Sequence, residues 1–272
     1  MSHPVLPQLR VPDTLGRDDM PDLLRHWYLG PRARRHMMLR RFAEVDAELP
    51  GAGAVLDVGS AWGFNAMALG MLGYEATGVD LVAEQFPAGQ EIARANGVRF
   101  AAAGADAAAL PFAAAAFDAI TMVETFEHIY LEDRRAALGE CLRVLRPGGR
   151  LVLSTPNFGG AVERIKRLTG AQPWIRRRLP TMCYPDEGTA RADYHPYRYH
   201  HPLPDGRVVA LLEGAGFSVV RVKHFLFVLK NTPGALFGPA RVLEMAGERM
   251  PLLRRLAATS CFVAVKPGGL AR

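Results

Sequence analysis

The sequence predicts an α/β fold in which a seven-stranded, mostly parallel sheet carries helices on both faces. Short apolar runs alternate with stretches of helical periodicity, which is typical of strands joined by right-handed crossovers. Helices of this length between parallel strands also imply that both faces of the sheet are covered. The predicted strands are 54–58, 75–79, 98–101, 117–122, 150–154, 217–222 and 259–266.

Helical periodicity and turn residues divide the 272-residue chain into four segments of a single predicted domain. Residues 1–49 form an N-terminal helical segment, and residues 50–156 form the first half of the sheet. Residues 157–206 break the regular pattern and are predicted to be an insertion that covers the site as a lid. Residues 207–272 complete the sheet. The predicted helices are 32–48, 65–72, 85–96, 131–145, 207–213 and 234–247.

Composition places the chain among ordinary globular proteins, since 49% of its residues are hydrophobic and 22% are charged. No apolar run approaches the roughly 20 residues that span a bilayer, so we expect a cytoplasmic protein. The three cysteines lack metal-binding or disulfide spacing and are expected to be reduced thiols of the core. The net charge of +6 favours an anionic partner, although an arginine-rich composition explains it equally well.

A glycine-punctuated loop follows the first predicted strand. The run Val55-Leu56-Asp57-Val58-Gly59-Ser60-Ala61-Trp62-Gly63 ends a strand and opens a helix, so its backbone amides can face a ligand. Asp80 closes the second strand 23 residues after Asp57, close to the spacing of about 20 at which an acid reaches ribose hydroxyls. Asp106 follows the third strand, where its carboxylate can accept a hydrogen bond from an adenine amino group.

A cluster of acids and a histidine follows the fourth strand in the block Glu124-Thr125-Phe126-Glu127-His128. In a helical turn, positions 124, 127 and 128 project from one face. Two carboxylates and an imidazole can hold a divalent metal when a further group completes the shell. Without a metal, the imidazole of His128 or of the later His195 can act as a general base, because its ordinary pKa lies near neutrality.

These motifs resemble class I S-adenosylmethionine-dependent methyltransferases, whose first motif is an acid followed by G-x-G-x-G. The resemblance covers residues 50–156 closely and implies a Rossmann-like methyltransferase fold. It also implies that the loop 59–63 holds the amino-acid part of S-adenosylmethionine, Asp80 the ribose and Asp106 the adenine. Ala61 stands where the middle glycine usually lies, and we expect a small adjustment there. The rival is a nicotinamide dinucleotide enzyme, but its G-x-G-x-x-G fingerprint is not matched.

The E-x-x-E-H block and the later Ser154-Thr155-Pro156-Asn157 resemble the O-methyltransferases of ubiquinone biosynthesis and the plant small-RNA 2′-O-methyltransferases. In both families this block holds magnesium, which implies a magnesium or manganese ion on Glu124, Glu127, His128 and His195. Many metal-free methyltransferases carry a similar block. The residues expected to contact the cofactor are Asp57, Gly59, Ser60, Ala61, Gly63, Phe64, Asp80, Leu81, Ala105, Asp106, Ala107 and Glu124.

Aromatic residues indicate where an acceptor molecule binds. Tyr197, Tyr199 and His200 in the insertion, with Trp27 and Tyr28 from the N-terminal segment, are expected to line the acceptor pocket. A small satellite core is the alternative for the insertion, and ordinary packing is the alternative for the N-terminal pair. The basic, partly apolar stretch 164–178 is suited to an acidic membrane surface, or it is a solvated helix face.

The expected function is O-methylation of a small-molecule, sugar or lipid-like hydroxyl. Metal-assisted RNA 2′-O-methylation is an alternative, but the sequence has no recognisable RNA-binding signature, so a nucleic-acid partner is not expected. A cofactor-binding scaffold without activity is the third alternative. A labelled-cofactor transfer assay separates it from the enzymes.

Overall fold

A seven-stranded sheet organises the computed structural model, which describes residues 9–13, 15, 20–21, 24–51, 53–170 and 200–268. The strands are β1 (Ala54–Val58), β2 (Glu75–Asp80), β3 (Ala101–Gly104), β4 (Phe117–Val123), β5 (Leu145–Pro156), β6 (Ser218–Phe225) and β7 (Thr259–Val265). Their order is β3-β2-β1-β4-β5-β7-β6. Strands β1 to β5 pair in parallel, and only β7 runs antiparallel to both of its neighbours. The predicted fold class is therefore confirmed.

Helices cover both faces of the sheet, and alternate residues of each strand pack into the two cores that lie between the sheet and these helices. Val55 packs with one apolar cluster and Leu56 with the other. The helices are α1 (Arg32–Asp46), α2 (Phe64–Met71), α3 (Phe86–Ala95), α4 (Arg134–Val144), α5 (Ala161–Gly170), α6 (Asp205–Gly214), α7 (Phe237–Arg249) and α8 (Pro251–Arg254). Helices α1, α2 and α3 complete the first core, whereas α4 and α6 complete the second.

The bounds of β3 differ from the predicted 98–101 because its apolar residues do not pair with β2. The amide of Val98 donates to the carbonyl of Ala93, 2.9 Å away, and so closes the end of α3. The Phe100 ring lies beneath Gly63, where a β-carbon would come within 2.3 Å of it. Pairing therefore begins at Ala101, and the predicted bounds were wrong by three residues at each end.

The N-terminal helix α1 is tied to the C-terminal part of the chain by ion pairs. Nε2 of His36 lies 2.7 Å from the Glu244 carboxylate on α7, and Arg40 lies 3.0 Å from Glu248. Arg221 of β6 pairs with Glu48 just after the helix. These contacts tie α1 and the turn after it to α7 and to the outermost strand β6.

The predicted insertion 157–206 begins with α5, and its residues 171–199 lie outside the described residues. Among the described helices, none is long and apolar enough to span a bilayer.

Candidate active site

The loop from Gly59 to Gly63 joins β1 to α2 in a conformation that requires glycine at both ends. Gly59 has a φ of +74° and Gly63 a φ of +97°, in the left-handed region. A β-carbon on Gly59 would come within 2.2 Å of the Thr125 side chain. The amides of Gly59 and Ser60 both donate to the carbonyl of Val79, at 2.8 and 2.9 Å, which draws the loop against the end of β2.

Asp80 braces this loop from the end of β2. One carboxylate oxygen accepts a hydrogen bond from the Ala61 amide and the other from the Val82 amide, both at 2.8 Å. Burial raises the pKa of Asp80, while these backbone donors oppose the rise. Ala61 itself has a φ of +50°, so alanine adopts the left-handed conformation that the missing middle glycine would favour.

Asp57 lies beneath the loop, inside β1. Its carboxylate accepts a 2.7 Å hydrogen bond from the Thr121 hydroxyl. Burial raises the pKa of Asp57 to about 6, with Thr121 opposing the rise. Asp57 therefore links β1 to β4 beneath the loop.

Two aromatic residues expected to contact ligands lie in the core beneath the loop. The Phe64 ring packs against Trp62, Phe42 and Tyr28, with centroids 5.7 to 6.0 Å apart. The buried Tyr28 hydroxyl accepts a hydrogen bond from the Leu9 amide. Trp27 lies nearer the surface, with the Arg41 guanidinium 5.9 Å from its ring.

The remaining cofactor candidates lie at the carboxyl ends of β2 and β3. Leu81 is exposed, and the amide of Ala105 donates to the carbonyl of Asp80, which holds the two strand ends together. Asp106 is exposed, and it accepts a 2.8 Å hydrogen bond from Ala108, beyond the adjacent Ala107. These groups lie along one edge of the sheet with the glycine loop.

The E-x-x-E-H block touches the glycine loop through Thr125, and only its end is helical. Glu124 has a φ of +51°, and a single 3₁₀ turn runs from Phe126 to His128. Glu127 is buried and accepts a 3.0 Å hydrogen bond from the Thr155 hydroxyl. Desolvation raises its pKa to about 7.

Glu124 turns toward the N-terminal helix instead of joining the other acid. Its carboxylate lies 2.7 Å from the Arg41 guanidinium and 3.3 Å from the Ser154 hydroxyl, which donates to it. Its pKa is raised to about 7, because desolvation outweighs the attraction of Arg41. Arg41 was not predicted as a site residue, since one arginine on an arginine-rich helix gives no signal.

Glu127, His128 and His200 form a compact cluster at the end of β4. The two imidazole rings lie 5.4 Å apart, and Nε2 of His128 lies 3.9 Å from the Glu127 carboxylate. One possible ligand atom from each of the three residues lies within 4.8 Å of the others. Burial and the nearby Lys166 and Lys230 lower the pKa of His200 to about 3, so its ring is neutral at physiological pH.

Arg134 anchors this cluster, although it was not among the predicted site residues. Its fully buried guanidinium donates to the carbonyls of Ile129, Glu127 and His201 at 2.9, 3.2 and 2.7 Å. The His201 amide also donates to the Glu127 carbonyl at 2.9 Å. Arg134 thus joins the 3₁₀ turn to a segment more than 70 residues later in the chain.

The predicted metal residues are only partly brought together. Glu127 and His128 lie in the cluster, Glu124 pairs with Arg41, and His195 lies outside the described residues, as do Tyr197 and Tyr199. His200, which was predicted to contact the acceptor, joins the cluster instead. One carboxylate and two imidazoles form a donor set that fits a divalent transition metal better than magnesium.

The sequence and fold match methyltransferases. Residues 56–153 match a family described as "Methyltransferase domain". The chain is similar to a demethylmenaquinone methyltransferase of Thermus thermophilus, with 34% identity over 54% of this chain and 65% of that protein, just under two thirds of its length. It is 31% identical to a ubiquinone biosynthesis O-methyltransferase of Xanthomonas axonopodis, over 73% of this chain and 77% of that protein.

A solved structure has the same fold. The 1,6-didemethyltoxoflavin N1-methyltransferase of Burkholderia thailandensis, bound to S-adenosylhomocysteine, superposes with a TM-score of 0.56 at 19% identity. The match covers 89% of this chain and 82% of that one. This structure shows the shared fold, whereas the 31% identity over 77% of the Xanthomonas protein, together with the family match, shows that the chain belongs to the S-adenosylmethionine-dependent methyltransferases.

Proposed function

We propose that this enzyme transfers a methyl group to a hydroxyl oxygen of a small-molecule, sugar or lipid-like acceptor. The observation that supports this most is the His128 imidazole beside the buried Glu127 carboxylate, 3.9 Å away. The block that carries both residues touches the glycine loop through Thr125. A proton acceptor thus lies next to the proposed cofactor site, as removal of a hydroxyl proton requires.

The loop 59–63 and the strand ends at Asp80 and Asp106 form the proposed cofactor site. S-adenosylmethionine bound there supplies an electrophilic methyl group on a sulfonium. The amides of Gly59 and Ser60 donate to the Val79 carbonyl, and Asp80 fixes the loop through the Ala61 amide, so acceptors of the protein itself hold the loop in shape. Leu81, Ala105 and Ala107 lie at the same strand ends. Binding energy is used to hold the acceptor oxygen in line with the methyl group.

In the proposed mechanism, His128 takes the proton from the acceptor hydroxyl. When ionised, which its pKa of about 7 makes possible at and above neutral pH, Glu127 stabilises the imidazolium that forms, because its carboxylate is close and shielded from solvent. His200 is a poor base, since its pKa is lowered to about 3, and it serves as a neutral hydrogen-bonding partner to the acceptor. Arg41 contacts both the Trp27 ring and the Glu124 carboxylate, which brings Trp27 close to the site. Trp27 is the proposed N-terminal wall of the acceptor pocket.

A metal-assisted version is a second candidate, favoured by the cluster of Glu127, His128 and His200. The three residues would hold a manganese, iron or zinc ion, which when bound lowers the pKa of a coordinated hydroxyl. In that version His128 is a ligand and does not accept the proton.

A transfer assay tests the O-methylation proposal. S-adenosylmethionine with a deuterated methyl group is incubated with a panel of phenols, catechols and sugars, and the product is analysed by NMR. We expect a methyl ether, and we expect His128→Ala to lower kcat roughly 10²- to 10⁴-fold with unchanged binding of S-adenosylhomocysteine. A methyl group on nitrogen or carbon only would refute the proposal.

Chelation separates the two versions of the mechanism. Activity that survives extensive treatment with EDTA, but is lost in His128→Ala, identifies His128 as the base. Activity that is lost on chelation and restored by manganese identifies the metal-assisted version. His224→Ala is the matched control, because this histidine lies on β6 and pairs with Asp205 of α6, outside the cluster.

A further inference from the structure

Helices α7 and α8 present an apolar face that no described part of the chain covers. Glu244 and Gly247 of α7 are buried against the rest of the protein, whereas the opposite side of the helix faces outward. The outward face, its continuation through α8 and the residues that flank the two helices, here termed the α7–α8 surface (236–256), carry eight large aliphatic side chains that are 37% to 79% exposed. They are Leu236, Val242, Leu243, Met245, Met250, Leu252, Leu253 and Leu256.

The charged side chains of this surface are all cationic. Between residues 236 and 256, all of which are described, the exposed charged residues are Arg241, Arg249, Arg254 and Arg255. The two acids of the range point inward, where Glu244 contacts His36 and Glu248 contacts Arg40. The surface is therefore both apolar and basic, without an outward acidic group to offset its charge.

Helix α5 extends this surface toward the candidate active site. The amide of Ala161, at the start of α5, donates to the carbonyl of Leu256 at 3.0 Å. Ile165 and Leu168 on α5 are exposed, as is Arg164 beside them. Lys166 follows Ile165 in the chain, and its charge is among those that lower the pKa of His200. The apolar and basic surface thus begins next to the histidine cluster.

We propose that the α7–α8 surface docks the enzyme on an anionic phospholipid bilayer. Exposed aliphatic side chains insert at the boundary between headgroups and acyl chains, and flanking arginines bind the phosphates, which is how interfacial amphipathic helices bind membranes. Monomeric soluble proteins rarely leave large contiguous apolar patches uncovered, and this surface carries eight exposed aliphatic side chains within 21 residues. This docking is independent of the acceptor chemistry.

Charge favours the bilayer over the other occupants. A symmetric dimer through this face would place the four arginines close to their counterparts, with no acid between them. A nucleic acid would attract the arginines but leave the aliphatic side chains without an apolar environment. An anionic bilayer offers phosphates to the arginines and an apolar environment to the aliphatic side chains.

Vesicle sedimentation tests the proposal with the full chain. We expect binding to vesicles of phosphatidylglycerol and phosphatidylcholine, and little binding to phosphatidylcholine alone. Leu243→Gln with Leu252→Gln should weaken binding at least tenfold, and Arg249→Gln with Arg254→Gln roughly fivefold for each arginine. Val220→Gln with Arg99→Gln, an exposed pair outside this surface, is the matched control and should bind like the wild type.

A second measurement does not depend on the stability of the Leu variants. An environment-sensitive fluorophore is attached at Met245→Cys or at the control position Val220→Cys, in a background with Cys183→Ser, because Cys141 and Cys261 are buried. A blue shift at 245 alone on adding anionic vesicles supports the docking. Equal binding by all variants, no shift at 245, or a concentration-dependent dimer that Leu243→Gln abolishes would overturn it.

Discussion

The two sides of the candidate site differ in how far apart along the chain their residues lie. The loop side consists of residues 57–81 and 105–107, and short hydrogen bonds donated by its backbone amides hold it against adjacent strand ends. The histidine side combines Arg41, the block 124–128, the end of β5 and the segment 200–201, held together by buried side chains. The loop side therefore depends on backbone conformation, and the histidine side depends on long-range side-chain contacts.

Gly59→Ala should have the largest effect on the loop side. The new β-carbon would overlap the Thr125 side chain, and alanine would be strained at a φ of +74°. We expect the free energy of unfolding to fall by about 4 kcal/mol, from strain and overpacking together. Chemical denaturation measures it.

Gly73→Ala is the matched control for this substitution. Its φ is +94°, but no atom lies within 4 Å of the added β-carbon, so only the strain of about 1 kcal/mol should remain. Equal losses for the two variants would mean that the contact with Thr125 does not constrain the loop.

The buried Asp57 gives the loop side a characteristic pH dependence. Its pKa is about 6 in the folded protein against an ordinary 3.8, so folding favours the protonated form. Its contribution to stability is fully present below pH 3.8 and is lost as the pH rises through 6, a change of about 3 kcal/mol. Denaturant unfolding between pH 4 and 7 should therefore show the stability of the wild type falling relative to Asp57→Asn.

Asp118→Asn provides a control of the opposite sign. Arg146 lowers the pKa of Asp118, so its contribution is present above the ordinary pKa and is lost only as the pH falls through the lowered value. A wild-type stability that does not change relative to Asp57→Asn between pH 4 and 7 would show that Asp57 is not desolvated.

Arg134→Met should disturb the histidine side and leave the loop side intact. The substitution leaves three carbonyls without their donor, so we expect a loss of about 2 to 3 kcal/mol in the free energy of unfolding. Methyl transfer should fall while the Kd of S-adenosylhomocysteine stays within about twofold.

Arg143→Met is the matched control, since Arg143 donates to the carbonyls of Leu110 and Phe112 away from the cluster. The Arg143→Met substitution should leave the rate of methyl transfer unchanged. If Arg134→Met weakens the binding of S-adenosylhomocysteine as much as it slows methyl transfer, the loop side and the histidine side do not act independently.

Ala61→Gly should have the smallest effect. Glycine relieves the strain at a φ of +50° but adds freedom to the unfolded chain, so we expect a gain of about 0.5 kcal/mol. Ala115→Gly, at a φ of +55° in a turn outside the site, should give a similar gain in thermal unfolding. Only Ala61→Gly should also change the affinity for S-adenosylhomocysteine, and a loss of stability in both variants would contradict the strain argument.

The sequence correctly predicted features that depend on residues close together in the chain. The glycines at 59 and 63 and the acid at 80 indicated the loop and its brace, because turns and strand ends have short-range signatures. Strand β3 was misplaced because Phe100 is apolar for packing and not for pairing. Arg41 and Arg134 were missed since their partners lie far along the chain, and no spacing rule links an arginine to a distant carbonyl or carboxylate.

Isothermal calorimetry with S-adenosylhomocysteine, applied to Asp80→Ala and His128→Ala, tests the central claim most directly. Asp80 braces the loop through Ala61, whereas His128 lies in the separate cluster. We predict that Asp80→Ala loses about 1.5 to 3 kcal/mol of binding free energy, and that His128→Ala binds like the wild type. Unchanged binding by Asp80→Ala, or an equal loss in both variants, would contradict the assignment of the cofactor to the loop side.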